Sequence, residues 1–526
     1  MTAHSKSRRT WYAVRLTLTA GALAVLAGCT PLRDYVRNGF KVGPNYARPP
    51  APVADHWIDA DDVRVRSVPT DDSHWWQVFN DPVLDALVRT AYEQNLTLKE
   101  AGYRVLERRA LLGIATGRLF PQEQFMNGSY NRVALSTQVA NRQFIAEAFY
   151  NQWNYGFGLA WELDFWGRFR RTIEAARAEL NASVEDYDQV LVTLVADVAS
   201  EYVTLRTLQQ RLVYARQNVA LQRESLKIAQ ARFKSGQASE VDVNQAQSDV
   251  STTESRVEEL EILHREANNR LCVLLGIPPE ELRPSLGERP IPTAPPEVAL
   301  GIPADLLRRR PDVRRVERQL AAQCARIGVA DSLLYPHLSI TGSFGWSAQE
   351  FADLFTSQAF RGIFAPGFNW NLFNYGRLLN LVRAEDARFQ ELVAKYQNTV
   401  LTANAEVEDG IVNFLRAQRK ARLLREAADA ELRAVREAIT QYRNGLVDFN
   451  RVALIQERLV QRQDLLAQAE GEVAQGLIQI YRALGGGWQM RCDGLPMPSE
   501  PAPSPRREEL PLPQPLPQQP GDTKPS

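Results

Sequence analysis

The sequence has no excess charge of either sign, because 62 Lys and Arg residues are matched by 62 Asp and Glu residues. A chain without net charge has no long-range field that would attract nucleic acid or an anionic surface. We therefore exclude nucleic-acid binding.

Residue types that ligate metals are also scarce, since the 526 residues include five histidines and four cysteines. The histidines are scattered without ligand spacing, so no zinc or haem site is predicted. The sequence has no phosphate-binding Gly-Lys-Ser/Thr loop and no catalytic constellation. We expect no cofactor and no metal ion, and we do not expect an enzyme.

The N-terminus has the pattern of a secretory signal, with basic residues before an apolar run at 16–26 and Leu-Ala-Gly-Cys at 26–29. This ending resembles the lipobox of bacterial lipoproteins, in which the cysteine becomes the lipidated first residue. We predict a lipoprotein signal peptide at 1–28 and acylation of Cys29; the alternative is a plain signal peptide with a chance cysteine. Thr30, where an Asp tends to retain lipoproteins in the inner membrane, favours the outer membrane.

The three remaining cysteines are an odd number in an oxidising compartment. Cys272 and Cys324 lie in apolar helical patterns, which favour buried free thiols over a disulfide. Cys492 lies in the C-terminal tail.

The segment from Trp153 to Phe165 alternates strictly between large apolar residues and small or charged ones. A period of two predicts a strand, and its half-aromatic apolar face is typical of a barrel wall with lipid outside and water inside. A strand of a soluble sheet with one wet face is the alternative.

The same pattern occurs twice in the chain. Trp161, Leu163, Gly167 and Arg168 reappear at a constant displacement as Trp370, Leu372, Gly376 and Arg377. The chain is therefore predicted to be a duplicated unit of helices, two strands and two long helices.

Two strands in the second copy are predicted at 337–346 and 362–373, and a less certain one in the first copy at 124–133. Four strands cannot close into a barrel, and open edges in lipid leave backbone groups unpaired. Three copies would supply twelve strands. The residues predicted to face lipid are Trp153, Tyr155, Phe157, Trp161, Phe368 and Trp370.

Long helices are predicted at 168–235 and 377–444, which contain no proline, and returning helices at 240–275 and 449–484. At 1.5 Å per residue the longer helices each span about 100 Å. Apolar residues at steps of three and four predict coiled-coil seams. Gly236 and Gly445 mark the turns between the helices.

The predicted domains follow from these elements. They are the signal peptide at 1–28, a lipid-anchored extended arm at 29–75, the first repeat at 76–276, a Pro-rich connector at 277–296, the second repeat at 297–487, and a disordered Pro-rich tail at 488–526. The second repeat is expected to open with a pair of helices, as the first does.

Several motifs resemble the outer-membrane efflux protein family (TolC-like), specifically its NodT-type lipoprotein branch. They are Leu-Ala-Gly-Cys at 26–29, Val-Gly-Pro-Asn-Tyr at 42–46, Trp75-Trp76 with Phe79, Asp81 and Pro82, Gly-Ile-Pro-Ala-Asp-Leu-Leu-Arg-Arg-Arg-Pro-Asp at 301–312, Tyr-Arg-Asn-Gly at 442–445, and Ala-Leu-Gly-Gly-Gly-Trp at 483–488. The resemblance covers residues 26–490.

This resemblance implies an α/β membrane protein, in which a trimeric 12-stranded transmembrane β-barrel with four strands per chain continues as a long α-helical coiled-coil tunnel in the periplasm. It further implies a passive exit duct of a tripartite efflux system for drugs, toxic organic compounds or metal ions. The implied partners are a periplasmic adaptor (membrane fusion) protein and an inner-membrane pump, of the resistance-nodulation-division type or the major-facilitator type. A non-conducting barrel-anchored scaffold or an adhesin is the alternative function.

Adaptor docking is predicted at the two helical tips, through residues whose alternative role is capping and solvation of the turns. They are Arg232, Ser235, Gly236, Ser239, Arg443, Asn444, Gly445 and Asp448. Relatives commonly carry acidic residues at a nearby constriction, but here Leu454 stands where related chains often have Asp. The gate candidates are Glu240, Asp242, Arg451 and Leu454, and Arg451 either faces the axis or pairs with Asp448.

Overall fold

The structure is a computed structural model that describes residues 32–66, 68, 72–136, 138, 140, 142–144 and 147–492. Cys29 and the predicted signal peptide lie outside the described residues, as does the predicted tail from residue 493 onwards. Labels below are given to the longer helices and strands in chain order, and shorter elements are named by their residues.

The first repeat opens with helix α1 at Pro82–Gln94 and helix α2 at Leu96–Gly117. Asp81 caps α1 by accepting from the Val83 amide at 2.9 Å, and proline occupies the first turn, where its missing N–H costs nothing. The predicted face of α1, formed by Leu84, Leu87, Val88 and Ala91, is buried.

The second repeat lacks a full counterpart of α1. Before helix α5 at Pro311–Ser332 the structure has a 3-10 turn at Pro303–Asp305 and a short helix at Leu306–Arg309, so the expected pair is present but its first member is much shorter than α1. Pro311 explains the shortening, because a residue that precedes proline is driven out of the helical region, and Arg310 is extended with φ −73° and ψ 120°.

Four antiparallel strands form one sheet. They are β1 at Glu123–Ala134, β2 at Phe149–Leu163, β3 at His337–Ala348 and β4 at Phe360–Asn369, in the order β1-β2-β3-β4. The less certain strand in the first repeat is thus confirmed as β1. The two repeats meet where β2 pairs with β3, and Phe157 lies opposite Phe344 there.

Two strands end earlier than the sequence predicts. β2 stops at Leu163 because Asp164 turns to accept the Phe169 and Arg170 amides at the start of the next helix. β4 stops at Asn369, and Trp370 and Leu372 lie beyond it. Tyr375 and Gly376, both at positive φ, directly precede the helix that begins at Arg377.

The long helices follow the sheet. Helix α3 spans Arg168–Lys234, α4 spans Glu240–Leu275, α6 spans Arg377–Arg443 and α7 spans Phe449–Leu484. α3 and α6 both have 67 residues, and α4 and α7 both have 36. The returning helices match their predicted bounds, and the predicted last residues of the long helices are their C-caps, Ser235 and Asn444.

Apolar residues that recur at steps of three and four along α3 are buried, namely Leu191, Leu194, Val198, Tyr202, Leu205, Leu208, Leu212 and Val219. Cys272 and Cys324 are buried free thiols, as predicted, and Cys492 is an exposed free thiol. None of the described helices is both long enough and apolar enough to cross a membrane.

The N-terminal arm is less uniformly extended than predicted. It begins with a short helix at Leu32–Arg37, and its Val65–Arg66 segment pairs in parallel with Val298–Ala299, just after the connector. The Trp57 indole donates to the Gly301 carbonyl at 3.1 Å, which ties the arm to the start of the second repeat.

The prediction of a disordered tail from residue 488 is wrong for its first five residues. Trp488–Cys492 forms a 3-10 helix, in which Met490 is buried and Arg491 forms an ion pair with fully buried Asp188. These contacts join segments far apart in the chain, so the local composition of the tail carries no sign of them.

Candidate functional site: the two faces of the sheet and the helical tips

One face of the sheet is aromatic. Directly paired residues of antiparallel strands point the same way, so Phe157, Met126 and Phe344 share this face, and Tyr155 shares it with Trp346. The Phe157 and Phe344 rings stack with centroids 5.1 Å apart. In β4 the face continues with Phe364 and Phe368, which are 73% and 72% exposed, so the single chain leaves a large apolar surface uncovered.

Trp161 and Trp370, both predicted to face lipid, occupy equivalent places in the two repeats. The Trp161 indole donates to the carbonyl of Leu119, just after α2, at 3.3 Å. The Trp370 indole donates to the carbonyl of Leu334, just after α5, at 3.0 Å. Both rings therefore anchor the end of the sheet that joins the helices.

The opposite face of the sheet is small and polar. Asn154 donates to Ser129 Oγ at 3.3 Å and accepts from Ser347 Oγ at 3.0 Å, which links β1, β2 and β3. Near the helices, Glu162 pairs with Arg168 at 2.8 Å. A small, polar face suits contact with water, whereas the aromatic face suits contact with lipid.

Both helical tips end in the same glycine turn. Gly236 and Gly445 have φ of 72° and 74°, which side chains rarely adopt. After α3, the Gly236 amide donates to Phe233 and the Gln237 amide donates to Arg232; the corresponding bonds after α6 are Gly445 to Tyr442 and Leu446 to Gln441. This bond pair is the Schellman motif, which satisfies the last carbonyls of a helix.

Most of the polar residues predicted to dock an adaptor also bond within the chain. Ser239 caps α4 by accepting from the Asp242 amide at 3.3 Å, and Asp448 caps α7 by accepting from the Arg451 amide at 3.0 Å. Arg443 forms an exposed ion pair with Glu224 at 3.0 Å. Ser235 and Asn444 are exposed C-caps.

Arg232 joins the two tips. Its guanidinium donates to the Tyr442 carbonyl and lies 4.7 Å from the centroid of the Tyr442 ring. Burial raises the pKa of the Tyr442 hydroxyl, the charge of Asp242 adds to this shift, and Arg232 opposes it. The sequence identified Tyr442 only as part of the Tyr-Arg-Asn-Gly motif and not as a tip contact, although it corresponds to Phe233 in the repeat.

The four gate candidates lie in the first two turns of α4 and α7. Glu240 and Asp242 begin α4, whereas Arg451 and Leu454 lie on α7, and Glu240, Arg451 and Leu454 are exposed. Asp448 accepts from the backbone amide of Arg451.

Leu454 lines a groove of about 950 Å³ between α4 and α7 that sequence reasoning did not find. Asp249 and Glu457 face this groove, and Asp249 Oδ2 is buried without a hydrogen-bond partner. Burial raises the pKa of Asp249, and the charge of Glu457 raises it further. Within the described residues, no group of three or more His, Cys, Asp or Glu side chains is placed to hold a metal ion.

From Thr204 to Arg232, every seventh residue of α3 bonds to α7 or, at the tip, to α6, and these bonds form a polar ladder between the two repeats. Its pairs are Thr204 with Gln475 at 3.2 Å, Arg211 with Asp464 at 2.6 Å, Asn218 with Gln463 at 2.7 Å, Ser225 with Gln456 at 2.9 Å, and Arg232 with the Tyr442 carbonyl. Polar pairs in a coiled-coil seam fix the register of the helices.

A sheet with one aromatic face and one polar face, joined directly to helical hairpins about 100 Å long, defines the subunit of a membrane channel with a helical extension. Comparisons with known proteins agree with this class. A model of the outer membrane efflux protein family matches residues 87–277 and 302–486.

Alignments with individual relatives cover most of this chain and nearly the whole length of each relative. The pyoverdine export outer membrane protein OpmQ of Pseudomonas putida is 31% identical over 431 residues, which are 80% of this chain and 89% of OpmQ. Nodulation protein T of Rhizobium leguminosarum bv. trifolii is 28% identical over 468 residues, covering 87% of this chain and 97% of that protein. The solved structure of the outer-membrane channel OprN aligns with a TM-score of 0.80 at 31% identity, over 85% of this chain and 99% of OprN.

The chain therefore belongs to the outer membrane efflux protein family, and the predicted family and TolC-like fold are confirmed. It is an outer-membrane export channel of an efflux system, as the sequence predicts.

Proposed function

We propose that three copies of this chain form a twelve-stranded barrel through the outer membrane and a continuous tunnel below it, through which cargo passes passively. The observation that carries the proposal is the two-faced sheet with open edges. In the described sheet β1 and β4 are the outermost strands, and each has a hydrogen-bonded neighbour on one side only.

Lipid makes these open edges costly. An unpaired backbone group in the hydrocarbon region costs several kcal/mol, and strands of this length expose several such groups. Pairing β4 of one copy with β1 of the next removes every edge when the ring closes. Strands β1 to β4 have 12, 15, 12 and 10 residues, which is long enough to cross a bilayer.

The acylated Cys29 assists this anchoring. Tyr35 donates to the Phe165 carbonyl at 2.7 Å, and Arg170 donates to the carbonyls of Gly39 and Phe40 at 2.7 and 2.8 Å, so the arm starts at the junction of sheet and helices. Cys29 stands three positions before Leu32 in the sequence, and a chain of that length spans about 10 Å at most. The lipid therefore lies near the helical end of the barrel, where the bilayer surface meets the periplasm.

The helical tips receive a periplasmic adaptor protein, behind which a pump of the resistance-nodulation-division type supplies the cargo. Exposed side chains at the tips support this role. Leu446 is 73% exposed and Val241 is 69% exposed, whereas the polar groups beside them are mostly bonded within the chain. OpmQ is named for pyoverdine export; drugs, toxic organic compounds and metal ions are the cargo classes proposed here.

The test combines mass with conductance. Native mass spectrometry of the protein extracted in detergent should give a trimer, and the same sample should conduct ions across a planar bilayer. A folded monomer with full barrel signature, or a trimer that never conducts, contradicts the proposal and favours the scaffold alternative.

Acylation has its own test. Cys29→Ala should lose metabolic labelling by a fatty acid while its trimer persists, because the barrel carries most of the anchoring. Cys492→Ser, which removes an exposed thiol elsewhere, should keep the label. Persistent labelling of the Cys29→Ala protein contradicts the assignment.

We further propose that Arg451 takes part in the periplasmic gate, because its exposed side chain would recur three times around one axis. Arg451→Glu changes the local charge in every copy and should alter ion preference or conductance in planar bilayers. Arg443→Glu, on the neighbouring tip, is the matched control. Unchanged conductance and ion preference would exclude Arg451 from the gate and leave Glu240 and Asp242 as the candidates.

A further inference from the structure

The loop between β3 and β4 folds down onto the aromatic face of the sheet. Its Phe351 ring lies 5.1 Å from the Trp153 ring, measured between centroids. Its Phe355 ring lies 5.7 Å from Tyr155 and 5.9 Å from Trp346. Tyr155 and Trp346 are paired on the aromatic face, and Trp153 points the same way because it stands two residues from Tyr155 in β2. The loop therefore lies on the aromatic side of the wall and not on its polar side.

Residues 349–359, here named the outer loop, keep an apolar surface even after this packing. Phe351 and Phe355 are 59% and 60% exposed, although both rings also contact the sheet. Leu354, between them in sequence, is only 2% exposed, and this buried side chain holds the loop in place. Apolar rings gain free energy when they leave water. The free side of the outer loop is therefore suited to an apolar medium.

The position of the outer loop along the sheet matches one border of a membrane. Trp161, at the helical end of β2, stands eight residues from Trp153. At about 3.3 Å per residue this separation is about 26 Å along the strand, and a strand tilt of about 40° reduces it to about 20 Å across the bilayer. The apolar band of such barrels is about 25 Å tall, with aromatic girdles at both borders. Phe351, packed on Trp153, therefore lies close to the border far from the helices.

A neighbouring copy is not placed to cover these rings. They lie over β2 and β3, which are the two inner strands of the described sheet. Another copy can extend the sheet only at its outermost strands, β1 and β4. The aromatic face around the rings is the face of an outer-membrane channel that suits lipid, and the outer loop continues that face. Lipid is therefore the occupant that fits it.

We propose that the outer loop is a membrane anchor, which inserts Phe351 and Phe355 among the lipid acyl chains at the border of the bilayer far from the helices. This role goes beyond the exit duct, and it rests on the orientation of the barrel wall proposed above. Aromatic side chains are favoured at this depth, because one end of the ring system meets acyl chains and the other meets water. Together with the acylated Cys29 at the helical end, the loop fixes the depth of the barrel from both sides.

Collision of a spin label with two reagents tests the insertion. In a Cys492→Ser background, a nitroxide is attached to Phe355→Cys, and the trimer is placed in vesicles of phosphatidylethanolamine and phosphatidylglycerol. Oxygen concentrates in the bilayer, whereas a neutral nickel chelate stays in water. The ratio of oxygen to nickel collisions should be several-fold higher at residue 355 than at Asn131→Cys.

Asn131 is the matched control because it lies at the same level on the opposite face. It directly follows Tyr130, which pairs with Trp153, and it is exposed. The Cys492→Ser parent measures any label attached elsewhere, since Cys272 and Cys324 are buried. Heat-resistant oligomer on gels verifies that each labelled protein is assembled.

A charge in the outer loop tests whether Phe351 holds it in lipid. With the label at residue 355, Phe351→Asp should raise the nickel collision rate several-fold, because a carboxylate is driven out of the apolar band. Asn131→Asp places the same charge at the same level on the polar face and should leave the collision rates of this label unchanged.

The outcomes separate the anchor from the duct. Equal oxygen-to-nickel ratios at residues 355 and 131, both typical of water, overturn the anchor and leave the duct in place. An unchanged label in the Phe351→Asp protein likewise overturns the role of Phe351. Ratios typical of lipid at both positions contradict the two-faced wall itself, and with it both proposals.

Discussion

Arg491 reaches back 303 residues to pair with Asp188, and this contact fixes the last described turn of the chain. Asp188 is fully buried, and Arg491 also lies 5.5 Å from the centroid of the Trp488 ring. Burial raises the pKa of Asp188 above its ordinary value of 3.8, and Arg491 opposes the shift. Arg491 supplies the ion pair of this buried carboxylate, and the nearby charge of Arg314 also opposes the rise of its pKa.

Arg491→Ala should destabilise the protein by about 3 to 5 kcal/mol, because it leaves Asp188 buried without its partner. Since the folded state holds the Asp188 proton more tightly than the unfolded chain does, stability falls as the pH rises through the raised pKa. Without Arg491 that pKa rises further, so the loss should be larger at about pH 7.5 than at about pH 5.

Thermal unfolding in detergent at the two pH values measures this effect. Adding Asp188→Asn to Arg491→Ala should recover part of the loss and flatten the pH dependence, because the unpaired charge is gone. An equal loss at both pH values would show that Arg491 acts through packing alone.

At the scale of elements, the helical hairpins were the most predictable part of the fold. Their sequences contain no proline over the long helices, repeat apolar residues at helical spacing, and place glycine at each turn, so local and long-range signals agree. Predictions that depended on a partner elsewhere in the chain were less complete. The composition of the tail did not reveal the pairing of Arg491, and the turn residues did not reveal that Arg232 binds Tyr442.

The ends of the strands were also hard to predict, because they depend on contacts outside the strand. Alternation predicted the faces of β2 and β4, but it could not show that Asp164 leaves the strand to cap α3. For the candidate site, the sequence named the tip residues, and the structure added their mutual bonds. The pairing of Phe157 with Phe344 across the two repeats required the strand register, which alternation alone does not provide.

Gly236→Ala should loosen the first tip by about 1 kcal/mol, because an L-residue is strained at positive φ. Nothing lies within 4 Å of the added methyl group, so the backbone alone causes the loss. Hydrogen exchange of the Gln237 amide, which donates to Arg232 at 2.8 Å, should accelerate by about five-fold.

Gly113→Ala is the matched control for this change. Gly113 lies inside α2, also with nothing within 4 Å of an added methyl group, and its φ is not in the left-handed region. Alanine favours a helix interior by about 1 kcal/mol over glycine, so the control should be neutral or stabilising. Equal acceleration at the tip in both variants would contradict the strain argument.

At the scale of the whole molecule, the sheet has two incompatible faces, and assembly in a membrane satisfies both. Phe344 and Ser343 are neighbours in β3 that point to opposite faces. Phe344→Arg should impair assembly, because arginine on the lipid face near mid-bilayer costs about 2 to 4 kcal/mol in each copy.

Ser343→Arg is the control for the opposite face. The same charge should be tolerated there, with normal assembly and an altered ion preference of the channel. The amount of heat-resistant oligomer in the outer membrane measures assembly for both variants. Comparable losses would show that the two faces do not differ in their contact with lipid.

The equal lengths of the paired helices restrict how this protein can change by insertion or deletion. Because α3 and α6 have 67 residues and α4 and α7 have 36, both hairpins return over the same distance. One extra residue would shift a tip by about 1.5 Å and turn its side chains by about 100° around the helix. The ladder residues of α3 lie seven residues apart, so an insertion keeps them on the face towards the second repeat only when it adds whole heptads.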